Sequence, residues 1–223
     1  MWYNIDKCIK SVMVTSQYLF PQQIAYDDIE NFDDIQDSLV QWMYHYQKYN
    51  NNAKVSNKGG WQSASKEIFL DQGFKMFERP IIGTILDVSK AFKLTGSINI
   101  VQMWMNINTP HSYNITHRHP GSQLSGVLWV KQTAEMGRFV FDNIDNRNIV
   151  LGTNTDNDHL IEHKMCGEIL PPYQDGTILL FPSEMSHRVE MNETNEDRLS
   201  ISFNITVNSV SYTHLTLPTS DLV

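Results

Sequence analysis

Cysteine is scarce. There are two in 223 residues, Cys8 and Cys166, far apart and in no Cys-x-x-Cys spacing. That excludes a zinc knuckle or a disulfide framework as the organising element and reads as two reduced thiols of a cytoplasmic protein. Apolar runs long enough to cross a bilayer are also lacking. Met1 to Lys10 carries Asp6 and no continuous apolar stretch, so a secretory leader is not expected. The glycosylation-type tripeptides at Asn114, Asn192 and Asn204 are therefore expected to be chance matches. Positive charge is short as well: 17 Lys and Arg stand against 25 Asp and Glu, a formal charge of −8, with no basic cluster to offset it. Such a chain has no electrostatic reason to sit on a nucleic acid backbone or an anionic membrane. No internal repeat and no low-complexity linker divides it.

What is present is enough apolar material for one core, 41% hydrophobic residues. Ile35, Leu39, Trp42, Met43 and Tyr46 recur at three- and four-residue spacing and predict an amphipathic helix over 33–49, with Asp33 or Asp34 as its cap. A polar loop follows over 50–63. Pro80 suits the first turn of a second helix, reaching about residue 94, that buries Ile81, Ile82, Ile85, Leu86 and Phe92. A shorter helical stretch precedes it around 71–78. These helices either cover the rest of the protein or form a homodimer face.

After Gly96 the chain turns to short strands. In 98–108, Val101, Met103, Met105 and Ile107 alternate with Gln102, Trp104 and Asn106, which predicts opposite faces. Further strands are expected at 124–131, 137–141, 168–170, 177–181, 187–191 and 198–207, separated by turn signals such as Pro120-Gly121 and Asp175-Gly176. Strands without intervening helices imply an all-β barrel or sandwich. The expected organisation is one domain over 1–207, helical to about 95 and a β-barrel over 96–207.

Three features carry chemistry. In Thr116-His117-Arg118-His119-Pro120, positions i and i+2 of a strand would aim two imidazoles at one metal. His187, after a Pro-containing turn, supplies a third ligand, and three protein ligands with open positions suit redox or Lewis-acid catalysis. An HxH pair alone is often a surface accident; the third histidine in a β-fold argues against that. Arg198-Leu199-Ser200 begins the next strand, so 187–191 and 198–206 read as antiparallel neighbours. Arg198 and Ser200 on one face would anchor a carboxylate through a planar fork and an extra hydrogen bond. Asn106 is a further candidate there. Gln102, Trp104, Ser125 and Trp129 read as a substrate pocket wall or, equally, as a half-exposed strand face.

The segments Leu19-Phe20-Pro21, Ser56-Asn57-Lys58-Gly59-Gly60-Trp61-Gln62-Ser63, His117-Arg118-His119-Pro120-Gly121-Ser122 with Leu124-Ser125-Gly126, Leu179-Leu180-Phe181-Pro182-Ser183 and Arg198-Leu199-Ser200-Ile201-Ser202-Phe203-Asn204 together span about residues 19–206. In them the chain resembles the 2-oxoglutarate/Fe(II)-dependent oxygenases, and within these a family common in marine bacteria and their phages. The resemblance implies a double-stranded β-helix (jelly-roll, cupin-like) barrel. It implies Fe(II) held by His117, His119 and His187, 2-oxoglutarate held by Arg198 and Ser200, and O2 as oxidant in hydroxylation of a C–H bond. In most of the wider superfamily the middle ligand is Asp or Glu; His119 stands there instead and adds one positive charge to the site. Thr109-Pro110-His111-Ser112 replaces a turn that in the family often contains glycine.

Two alternatives stay open. Gly176, Pro182 and His187 also satisfy the Gly-x5-Pro-x4-His pattern of cupins, although the glutamate that cupins place soon after HxH is missing from Pro120-Gly121-Ser122-Gln123-Leu124. A non-catalytic barrel with a degenerate cluster is the other. Finally, Val210-Ser211-Tyr212-Thr213-His214-Leu215 resembles a translated sequencing-adapter end. Residues 208–223 are accordingly expected to be read-through, and His214 no ligand.

Overall fold

The computed structural model describes residues 22–65, 68–142, 168–169, 171 and 174–208. The expectations for Cys8, Cys166, residues 19–21 and the tail beyond Asn208 lie outside them. Among the described residues, eleven strands and two α-helices follow in the order β1 Ala25–Asp28, α1 Asp33–Tyr49, β2 Asn57–Lys58, β3 Trp61–Gln62, α2 Lys75–Ser89, β4 Ser97–Asn108, β5 Tyr113–His117, β6 Leu124–Lys131, β7 Phe139–Asp142, β8 Glu168–Ile169, β9 Thr177–Pro182, β10 His187–Val189 and β11 Arg198–Asn208. No described helix is long and apolar enough to cross a membrane.

The strands form two sheets, one in the order β1-β9-β6-β11-β4-β3 and the other β2-β5-β10-β7-β8, with antiparallel pairing throughout. This two-sheet architecture is the barrel or sandwich expected from the strand pattern and the jelly roll that the resemblance implied. Period-two alternation splits the larger sheet's side chains between two cores. Met103, Met105, Ile107, Leu128, Leu199, Ile201 and Phe203 join the helices on its outer face. Val127, Trp129, Leu179 and Phe181 face inward, toward Phe139 and Phe141 of the smaller sheet. The helices therefore cover the larger sheet, α1 against β6 and α2 against β9 and β1. Leu39, Met43, Ile81 and Ile85 are fully buried there, each contributing about 1.5–3 kcal/mol over exposure.

The local departures from expectation have physical causes. α2 begins at Lys75, so the two helical stretches are one and Pro80 lies inside it. Pro80 lacks the N–H that would reach the carbonyl four residues back, yet the buried stripe Phe77, Ile81, Ile85 and Val88 holds the helix together. Leu86 falls off that stripe and is 40% exposed rather than buried. α1 has no side-chain cap; Asp33 and Asp34 sit in its first turn, where they complement the helix dipole. In β4 the register slips where Asn204 pairs with Gln102 and Ile205 with Ile100. Val101 is the extra residue of this bulge, so it turns outward and Ile100 and Ile98 take the core face in its place.

Two larger differences shape the site. The 50–63 loop is not simply polar surface: β2 pairs with β5, β3 with β4, and Trp61, Gln62 and Ser63 are buried. β10 and β11 are not neighbours. β10 lies between β5 and β7 in the smaller sheet, β11 between β4 and β6 in the larger, and the 190–197 connection crosses from one to the other. The asparagines of all three glycosylation-type tripeptides are buried and hydrogen-bonded, Asn114 and Asn192 around Asn108 and Asn204 beside Gln102.

Candidate metal centre and anion pocket

His117 ends β5 and His187 begins β10, and the two are register partners. β5 stops at His117, so His119 is not presented by a strand; its backbone N–H donates to the Ser183 carbonyl at 2.9 Å. The chain bends after the strand and the third imidazole still reaches the other two. Ring centroids are 4.3 Å apart for His117 and His187, 4.9 Å for His117 and His119, and 5.1 Å for His119 and His187. One nitrogen of each lies within 4.8 Å of the others, the only such grouping of three metal-capable side chains among the described residues.

The ring orientations suit a cation. His117 Nδ1 lies 2.7 Å from the Ile115 carbonyl and His187 Nδ1 2.9 Å from the Met185 carbonyl. A carbonyl oxygen only accepts, so each Nδ1 carries the proton and Nε2 keeps its lone pair. Burial, then repulsion from neighbouring imidazoles, pushes His187 down to about 3 and His119 down to about 4. Burial also lowers His117, against the opposing effect of its bond to Ile115. At neutral pH the site thus offers three uncharged imidazoles. Phe139 stacks on His187 at 5.3 Å and 19°, and Phe181 meets it edge-on at 4.9 Å. These rings dry one wall of the site and account for the desolvation.

The same pocket contains Arg198, Ser200 and Ser202 from β11 and Asn106 and Trp104 from β4. Arg198 is buried, and its Nη1 donates to the carbonyls of Met136 at 2.7 Å and Gly137 at 3.0 Å. Arg198 and Ser200 share a face because they alternate along β11, not through any pairing with β10. Asn106 is the register partner of Ser200, and its Nδ2 donates to Ser202 Oγ at 3.3 Å. Asn106 Oδ1 is buried and finds no hydrogen-bond partner among the described residues. Trp104 lies 5.5 Å from the His119 ring, and Trp129 lines the pocket with its edge toward Phe139.

Two of the sequence candidates stand apart from the pocket lining. Ser125 is bonded to Ser183 and Asn204, and Gln102 to Asn204. Conversely, Ser56, Asn114, Ser202, Phe139 and Phe181 line the pocket without having been singled out. Ser202 was legible as the next step of the alternation Arg198-x-Ser200-x-Ser202. Ser56 and Asn114 carry no local signal. They arrive through a row of side-chain bonds, Asn57 to Asn108 at 3.2 Å, Asn108 to Asn114 at 3.0 Å and Asn114 to Ser56 at 3.3 Å, that joins the 50–63 loop to the barrel.

Residues 102–204, from Gln102 on β4 to Asn204 on β11, match the family model described as "Putative 2OG-Fe(II) oxygenase". No curated protein matches in sequence. Among solved structures the fold is similar to a Pseudomonas putida prolyl-4-hydroxylase, at 12% identity over 84% of this chain and 94% of that one, TM-score 0.56. It is similar to SnoN, a non-heme alpha ketoglutarate dependent epimerase from nogalamycin biosynthesis, at 10% identity over 91% and 87%, TM-score 0.60. HygX from Streptomyces hygroscopicus, solved with nickel and 2-oxoglutarate bound, matches at 11% identity over 84% and 83%, TM-score 0.56. At these identities the structures speak for the fold; the likeness to the 2OG-Fe(II) oxygenases rests on the family match over residues 102–204.

Proposed function

We propose that this protein is an Fe(II)- and 2-oxoglutarate-dependent oxygenase that hydroxylates a C–H bond, with His117, His119 and His187 as the metal ligands. The observation that carries this reading is the convergence of three imidazoles in one pocket that Arg198 and Ser200 also line. A cupin without the co-substrate gives no reason for a buried arginine to face the same pocket.

The donor set fits the group. Imidazole nitrogen suits Fe(II), and both strand-end histidines have Nδ1 tied to carbonyls, which leaves Nε2 for the metal. When bound, iron supplies the activation of O2 that organic side chains cannot. The balanced reaction is R–H + O2 + 2-oxoglutarate → R–OH + succinate + CO2. The chain's own residues bind and orient. Arg198, held by two carbonyls, takes the far carboxylate of the co-substrate with Ser200 beside it. Asn106 fits as the third anion contact. Turning its amide would let Oδ1 accept from the Ser202 hydroxyl and present Nδ2 to the carboxylate, which satisfies the atom that is otherwise orphaned. Phe139, Phe181 and Trp129 exclude water, so charge pairs inside the pocket are weakly screened. Trp104, beside His119, forms part of the wall against which the hydroxylated substrate would lie.

The test is calorimetric titration of 2-oxoglutarate into anaerobically prepared protein with and without Fe(II). Binding that depends on the metal supports the reading, and its absence sinks it. A screen for succinate formation over peptides, nucleobases, lipids and small metabolites then identifies the substrate class.

A further inference from the structure

His117 and His187 each have a ring nitrogen fixed by the carbonyl two residues earlier in their own chain segment. His119 has no such bond; no hydrogen bond to its ring is found among the described residues. Its hold on the barrel is the backbone bond to Ser183, together with ring packing on Trp104 and the other imidazoles. It sits in the 118–123 connection, beyond the end of β5. What fixes Ser183 therefore fixes His119.

Ser183 is bound through all three of its polar groups. Its N–H donates to the Gln123 carbonyl at 3.1 Å, its carbonyl accepts from His119, and its hydroxyl meets Ser125 Oγ at 2.8 Å. Ser125 Oγ donates to Asn204 Oδ1 at 2.8 Å, and Asn204 Nδ2 donates to Gln102 Oε1 at 2.7 Å. With the single proton of Ser125 spent on Asn204, Ser183 is the donor to Ser125, so the bonds run in one direction. Ser183, Ser125 and Asn204 are buried to 1%, 1% and 4% exposure. The row is rooted in β6, β11 and β4, three adjacent strands of the larger sheet. A buried chain of this kind is rigid when fully satisfied and costly when broken.

From this geometry we infer that Ser125, Ser183 and Asn204 are positioning residues that hold the third metal ligand, His119, in place through the backbone of Ser183. The inference rests on the reading of His119 as a ligand. The alternative is that these polar groups merely satisfy one another inside the sheet.

A double-mutant cycle separates the two. Metal-stripped full-length protein is titrated with Co(II), whose visible ligand-field absorption reports both affinity and coordination geometry. Ser125→Ala is expected to weaken Co(II) binding ~10-fold, the low end of what outer-shell partners contribute, and to change the absorption band shape. His119→Ala weakens binding further, and adding Ser125→Ala to His119→Ala is expected to cost nothing more. Equal losses from Ser125→Ala in both backgrounds overturn the positioning role. So does unchanged affinity and band shape in Ser125→Ala itself. If Ser125→Ala does not fold, as judged by circular dichroism, Ser183→Ala takes its place, since it keeps the main-chain carbonyl and removes the same link. Failure of the underlying reading looks different: wild-type protein takes up no Co(II), or His119→Ala binds it as wild type does.

Discussion

His117 and His187 are register partners across β5 and β10, with ring centroids 4.3 Å apart and each Nδ1 turned to a carbonyl of its own strand approach. In the proposed reading the pairing gives the metal two ligands from the sheet itself, before any loop contributes. Replacing His117, which is only half-buried, by Ala should leave the fold intact and lower Fe(II) affinity at least ~100-fold, the upper range for outer-shell partners and hence a floor for a direct ligand. Anaerobic calorimetry with Fe(II) measures this directly. Near-wild-type affinity would remove His117 from the ligand set.

Arg198→Ala should weaken 2-oxoglutarate by about 30-fold or more, corresponding to the roughly 2 kcal/mol or more lost when one partner of a buried charge pair is truncated. Metal affinity should change little, because Arg198 is anchored to the Met136 and Gly137 carbonyls. Arg198→Lys restores the charge but not the planar fork and should recover only part of the affinity. Titrating metal and co-substrate separately checks both halves, and loss of metal binding in Arg198→Ala would contradict the division of roles.

The histidines and Arg198 were legible because their signal is local: spacing along short segments with strand periodicity. The route by which they meet was not. Met191 to Asp197 reads as a hairpin turn, yet it carries the chain from one sheet to the other, since strand partners are chosen by long-range packing that periodicity does not encode. Arg198 and Ser200 still share a face, because alternation holds whichever strand lies alongside. β1 escaped notice for a related reason. Ala-Tyr-Asp-Asp at the sheet edge has little apolar alternation and is defined by pairing with β9. Val101 shows the limit of alternation itself, since one bulged residue exchanges the faces of everything before it.

Asn106→Asp is nearly isosteric and tests the anion pocket by charge alone. A carboxylate at this buried position would face the co-substrate carboxylate, and like charges there should weaken 2-oxoglutarate by about 10-fold or more. Competition binding against a neutral keto-acid ester isolates the effect, since the ester should lose far less. Equal losses for the diacid and the ester would mean that Asn106 acts through packing.

An alkaline limb in stability is expected from Tyr44. Its hydroxyl donates to Asp197 Oδ2 at 3.0 Å, and burial first, then the Asp197 bond and charge, push it up to about 12. Below the ordinary tyrosine value of about 10 the phenol is neutral in both states and its contribution is fully present. Between 10 and 12 the unfolded chain releases a proton that the folded one retains, so stability falls as pH rises. Tyr44→Phe should flatten that limb in urea titrations run from pH 8 to 11, with a loss at neutral pH held under about 1 kcal/mol because the side chain is partly solvated. An unchanged slope would place the alkaline transition elsewhere.

Gly60 is the point at which the 50–63 loop is pressed onto the barrel. A Cβ there would lie 2.5 Å from the Ile107 carbonyl oxygen and 2.7 Å from Asn57 Oδ1, so Gly60→Ala must lift β3 from β4 or break the Asn57 bonds. Overpacking of this kind costs typically about 1–3 kcal/mol, measurable as a lower urea midpoint. The functional consequence is specific, because Ser56 reaches the pocket through the same loop and through Asn114. Co-substrate affinity should fall more than metal affinity in Gly60→Ala, since β2 pairs with β5 at Tyr113 and Asn114, short of His117, while His187 and His119 hang from β10 and the Ser183 turn. Parallel loss of both would mean that the loop supports the whole mouth of the barrel and not the anion end alone.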